Sequence, residues 1–108
     1  MPRKKLEEPE YETYFDTLSK GLKEQTAEIE IMAVGIMDKE QTDWIPFYGI
    51  SYDPSEKTIS IICEYIDHRI KKPREVWVQE SDAGINAIEI TGGNEYTHLL
   101  KFKKPIAG

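Results

Sequence analysis

From residue 45 onward this chain alternates. Tyr48, Ile50 and Tyr52 share one parity. So do Ile59, Ile61, Cys63 and Tyr65, then Val76 and Val78, then Ile88 and Ile90, then Tyr96, His98, Leu100 and Phe102. A period of two marks strands with one buried face. The runs are separated by short turn-forming stretches: Asp53-Pro54-Ser55-Glu56, Ser81-Asp82-Ala83-Gly84 and Gly92-Gly93-Asn94-Glu95. Connections that short force antiparallel neighbours. No βαβ pattern occurs, so a parallel sheet is not expected. The opposite parity is not fully polar, because Phe47, Ile62, Trp77 and Leu99 lie there. A sheet with apolar groups on both faces must cover both. One helix covers one face. The second needs barrel-like curling, a partner subunit or a ligand.

The helix is legible near the N-terminus. Tyr11, Tyr14, Phe15, Leu18 and Leu22 fall at i, i+3, i+4, i+7 and i+11, one face of a 3.6-residue period. Pro9 suits the first turn, acids sit early and Lys20 and Lys23 late, as the helix dipole prefers. Gly21 either ends this helix or marks a close approach to the sheet. Residues 1–8 show no periodicity and read as a flexible terminus, leaving 9–104 as a single domain. The segment 26–37 begins as a strand and slips phase near Gly35, as a bulge would produce. Residues 38–43 read as a polar loop, and Pro105 as the end of the last strand. The expected fold is therefore α+β. An N-terminal helix packs on a bent, mostly antiparallel sheet of about six strands, or on a partly open barrel.

Composition narrows the classes. The chain has 108 residues, 39% apolar and 31% charged, with a formal net charge of −6. A folded domain of this size buries about 60–70% of its unfolded surface, enough for one core. The surplus of acids disfavours general attraction to nucleic acid. No apolar run approaches the ~20 residues of a membrane helix, and the basic start lacks the apolar region of a secretory signal. The single cysteine, Cys63, cannot form an internal disulfide, which fits a reducing cytoplasm.

Little chemistry stands out. Cys63, His68 and His98 lack the short spacings of a metal site, so neither metal nor cofactor is expected. A trio of Cys63, Asp67 and His68 can be written down. Adjacent Asp67 and His68 point to opposite sides of a strand, and Cys63 reads as a buried apolar residue. No phosphate-binding glycine motif occurs. What remains is the stretch YIDHRIKKPREVW (65–77). His68, Arg69, Lys71, Lys72 and Arg74 make a basic cluster within an acidic chain. It reads either as a patch for an anion or acidic partner, or as a solvated crossing set by Pro73.

The ordered stretches F-D-x-L-S (15–19), E-I-x-x-x-G-I (30–36), P-F-Y-G-I-S-Y-D-P (46–54), D-H-R-I-K-K-P-R-E-V-W-V (67–78), A-I-E-I and L-L-K-F resemble a family of small uncharacterised prokaryotic proteins classed as a domain of unknown function. The resemblance carries no catalytic residues. It implies that Asp67, His68 and Pro73 belong to a shared pattern. The expected function is a non-enzymatic cytoplasmic interaction module that forms a homodimer through Phe47, Ile62, Trp77 and Leu99. One alternative is a small-ligand or anion binder using the 67–74 loop. The other is a nucleic-acid binder by analogy with Sm-like barrels, which the charge makes unlikely.

Overall fold

The computed structural model describes residues 3–22, 27–34, 40–41, 44–64, 66–93 and 95–106. Among them are one helix and nine strands. These are β1 (Arg3–Leu6), α1 (Glu8–Lys20), β2 (Ala27–Val34), β3 (Glu40–Gln41), β4 (Ile45–Asp53), β5 (Thr58–Cys63), β6 (Ile66–Lys71), β7 (Glu75–Ser81), β8 (Gly84–Thr91) and β9 (Thr97–Ile106). All pairings are antiparallel, in the order β1-β7-β8-β9-β2-β4-β5-β6, with β3 on β2. Two three-stranded meanders, β4–β6 and β7–β9, thus flank a central β2.

That order forces the sheet to curl. Six inter-strand steps separate β7 from β6. In a flat sheet those steps would place them roughly 29 Å apart, at ~4.8 Å per step. The chain joins them through Lys72, Pro73 and Arg74 alone. Four residue steps from Lys71 to Glu75 span at most about 14 Å. The meanders must therefore fold towards each other. His68 on β6 duly meets His98 on β9 at 2.9 Å, although these strands share no ladder. The link is held on both sides: Lys72 N–H donates to Lys57 O at 2.7 Å, Arg74 N–H to Thr91 O at 2.7 Å, and Gly93 N–H to Lys71 O at 3.1 Å. A Cβ on Gly93 would sit 3.0 Å from Lys72 Cβ and 3.2 Å from its carbonyl oxygen, so the approach favours glycine. The pairings do not close into a complete barrel.

Inside the curl lies one apolar cluster, including Ile50, Ile59, Ile61, Val76, Val78, Ile88, Ile90 and Leu100. Helix α1 adds Tyr11, Phe15 and Leu18. Its start is capped by Glu10, whose carboxylate accepts the Glu7 N–H at 3.0 Å, and Gly21 caps its end. Tyr11 packs edge-on against Tyr52, and Tyr52 Oη donates to Glu8 at 2.8 Å. A tighter joint lies in the last turn of the helix. β4 continues beyond Phe47, where its ladder with β2 stops. There Ser19 Oγ donates to Ile50 O at 2.7 Å and accepts Ile50 N–H at 3.0 Å. One hydroxyl fills the place of a neighbouring strand. Gly49 admits it, since a Cβ there would stand 3.3 Å from Ser19 Oγ.

Several expectations need correction. Residues 3–6 are not loose but form an edge strand on β7, with Leu6 fully buried, and the helix begins at Glu8. The folded unit exceeds 9–104, because Leu6 and Ile106 both join the core. The last strand runs through Pro105, which is exposed at the sheet margin where its missing N–H costs little. Strands outnumber the six expected because β1 and β3 are short and polar and β6 carries charge on its exposed face. A bulge at Phe47/Gly49 shifts the phase of β4. Phe47 therefore turns inward onto Phe102, 3% exposed, while Tyr48 turns out at 58%. The phase slip read near Gly35 lies outside the described residues, as does most of the 38–43 loop. Curling and α1 enclose the inner face, while on the outer face Ile62 stays exposed and Trp77 and Leu99 are half-buried.

Ser19→Ala should lower unfolding free energy by about 1–3 kcal/mol, since it strands the N–H and C=O of Ile50. Equilibrium denaturation checks this; an unchanged midpoint would show that water replaces the hydroxyl without cost.

Candidate functional site

The structure divides the predicted basic patch among three places. Strand alternation along β6 turns His68 and Ile70 inward and leaves Asp67, Arg69 and Lys71 exposed on the outside. Only Lys72 and Arg74 enter a cleft. It measures about 400 Å³ and is lined by Lys5, Leu6, Glu7, Glu8, Tyr11, Lys57, Lys72, Pro73 and Arg74. Three pieces of chain distant in sequence build it: the β1–α1 junction, the β4–β5 turn and the β6–β7 link. Sequence reasoning missed Lys5 and Lys57, because no local pattern places them beside Lys72.

The backbone of this cleft is unusual. Lys57 and Lys72 both adopt left-handed conformations, with φ of 48° and 51°. Each such non-glycine residue costs roughly 1–2 kcal/mol. Asp53 sets the first one up, since its carboxylate accepts the Ser55 N–H at 2.9 Å and the Ser55 hydroxyl at 2.7 Å, tightening the turn. The bond from Lys72 N–H to Lys57 O locks the two lysines side by side. Glu95, at φ 70°, is the remaining non-glycine residue with positive φ among those described, and it pairs with Arg74 at 3.0 Å. All three strained positions thus surround the β6–β7 link. Strain of this kind gathers at functional sites.

The charges are unequally satisfied. Arg74 is paired with Glu95, and Lys5 with Glu75 at 3.8 Å, both in exposed settings that contribute little energy. Among the described residues Lys57 and Lys72 have no ion-pair partner. Glu7 and Glu8 bring carboxylates to the same cleft, with Glu8 also accepting from Tyr52. A larger groove of about 860 Å³ lies between α1 and the β7–β8 turn, where Tyr14 Oη donates to Glu80 at 2.7 Å. Its ionisable rim is acidic, with Glu10, Glu80 and Asp82.

The remaining candidates disperse. Cys63 is buried, and its thiol is pushed up to about 11 by burial and then by the charge of Asp67, so it stays protonated. Asp67 faces out while His68 faces in, and the trio does not assemble. Among the described residues no group of three or more His, Cys, Asp or Glu could hold a metal. Of the proposed apolar interface, Phe47 is core. Trp77 is half-buried beneath the Arg3 guanidinium, 4.4 Å from its ring. Leu99 is half-buried beside Glu89. Ile62 remains exposed at 43%, and Trp44 and Tyr48 join it at 39% and 58%.

His68 has a different role from the one expected. Its Nε2 and Nδ1 of buried His98 lie 2.9 Å apart, so one ring donates and the other accepts. Burial, and secondarily the charge of His68, depresses His98 to about 4. The unfolded imidazole titrates near ~6.5. The unfolded chain therefore binds a proton that the folded chain resists. This contribution to stability is intact above about pH 6.5 and is lost as pH falls towards 4. Denaturation midpoints should drop between pH 7 and 5, above most carboxylate titrations, and His98→Leu should flatten that drop. Equal wild-type midpoints at both pH values would refute it.

Comparison with known proteins identifies relatives of the chain as a whole. A protein from Aquifex aeolicus (strain VF5), described as an uncharacterized protein, is 33% identical over 107 residues, covering 98% of this chain and 96% of that one. No solved structure matches. The family model described as a family of unknown function (DUF5335) matches residues 2–108. The chain belongs to that family.

Proposed function

We propose that the protein is a non-enzymatic binding module whose basic cleft takes a small oxyanion. The observation that carries this is the Lys57–Lys72 pair. Two lysines without ion-pair partners among the described residues are joined backbone to backbone at strained positions, and they line the cleft with Arg74 and Lys5. Cations gathered in one cleft repel each other, and a shared oxyanion would relieve that repulsion through charge-assisted bonds. A buried free thiol and the lack, among the described residues, of a helix long and apolar enough to cross a membrane are consistent with a cytoplasmic setting. The formal net charge of −6 argues against nucleic acid as the anion.

The test is a titration with inorganic phosphate, using sodium chloride at equal ionic strength as control. Amide resonances around Lys57, Lys72 and Arg74 should shift with phosphate and not with chloride. Lys57→Gly with Lys72→Gly should abolish the response. The same pair should hold stability or raise it by up to about 1 kcal/mol per site, because glycine removes the left-handed strain. No phosphate-specific shift at tens of millimolar would sink the reading.

A second reading is self-association through the β4–β5 surface, favoured by the exposure of Trp44, Tyr48 and Ile62. Sedimentation should then show a concentration-dependent dimer that Ile62→Glu abolishes. A monomer at all concentrations would reject it.

A further inference from the structure

The cleft lining carries charges of both signs, and that limits which oxyanion can fill it. Lys5, Lys57, Lys72 and Arg74 line it together with Glu7, Glu8 and Tyr11. A ligand that is only an anion would gain from the cations and be repelled by the carboxylates. The carboxylates attract hydrogen-bond donors, since an ionised carboxylate offers about four acceptor sites. Glu8 accepts from Tyr52 Oη at 2.8 Å, which orients it. Tyr52 is itself buried and packed against Tyr11, which anchors that contact.

Resting on the anion-binding reading, we propose that the ligand is a phosphorylated polyol. Its phosphate sits between Lys57 and Lys72, and its hydroxyls donate to Glu7 and Glu8. A volume of about 400 Å³ suits a molecule of sugar-phosphate size. A larger anionic polymer would meet the same carboxylates without hydroxyls placed to satisfy them. Hydroxyls bound to a site built to accept them discriminate strongly, because an analogue without them leaves oriented carboxylates unpaired. The arrangement therefore selects for the polyol end as well as for the phosphate.

Calorimetric titrations of the full chain with ribose 5-phosphate, ethyl phosphate and ethanolamine phosphate separate the possibilities. Ribose 5-phosphate should bind at least tenfold more tightly than ethyl phosphate. Glu8→Ala should bring the two to within a few-fold, while ethyl phosphate holds its affinity or gains. The ratio in the wild-type chain decides the matter even if that variant fails to fold. Equal affinities for ribose 5-phosphate and ethyl phosphate would overturn the polyol proposal and leave the anion site standing. Tighter binding of ethanolamine phosphate than of ribose 5-phosphate would also overturn it, assigning the carboxylates to an ammonium. Absence of binding by all three would overturn both.

Discussion

The three-residue link between β6 and β7 governs this fold. A chain cannot join the far end of an eight-strand path to its second strand through Lys72, Pro73 and Arg74 unless the sheet bends back on itself. Much else follows from that restriction. The curl gives the apolar face an interior, lets His68 reach His98, and presses the β8–β9 turn against Lys71 and Lys72 closely enough to favour Gly93. It gathers the β1–α1 junction, the β4–β5 turn and the link around one cleft. Site and architecture are thus two results of one short connection.

The strain at Lys57 and Lys72 also has two explanations that work together. A tight link must turn the chain sharply, and left-handed residues do this readily. Glycine would do so at lower cost, yet lysine occupies both positions. Their side chains line a cleft that also holds the carboxylates of Glu7 and Glu8. The backbone explains the bend, and the cleft gives the choice of lysine a use.

Much of the architecture was legible in sequence. The Tyr11–Leu22 stripe marked the helix, and alternation with short turns marked an antiparallel sheet. Apolar residues on both parities suggested that the sheet had to be covered twice, yet Phe47 turns inward, Ile62 stays exposed and Trp77 and Leu99 are only half-buried. What escaped was non-local or phase-dependent. Arg3–Leu6 lacks alternation because it is an edge strand with one buried residue, so only its partner β7 reveals it. Asp67–Lys71 looked like a loop because an edge strand carries charge on its outer face, and its inner face holds a histidine. Phe47 was assigned to the wrong face because one bulge inverts parity without altering composition. Lys72 and Arg74 were visible as a basic cluster. Their association with Lys5 and Lys57 depends on the curl, which no local window contains.

The Ser19 hydroxyl on Ile50 has a consequence for how the chain avoids sticking to its neighbours. An unpaired strand edge is a template onto which any other extended chain can add. Beyond its ladder with β2, β4 would present such an edge, next to the exposed Tyr48. The helix occupies it with a single side chain. Because α1 precedes β4 in the chain, the guard leaves the ribosome before the edge that it protects. The stretch most able to recruit a foreign strand is therefore made only once its cover is at hand.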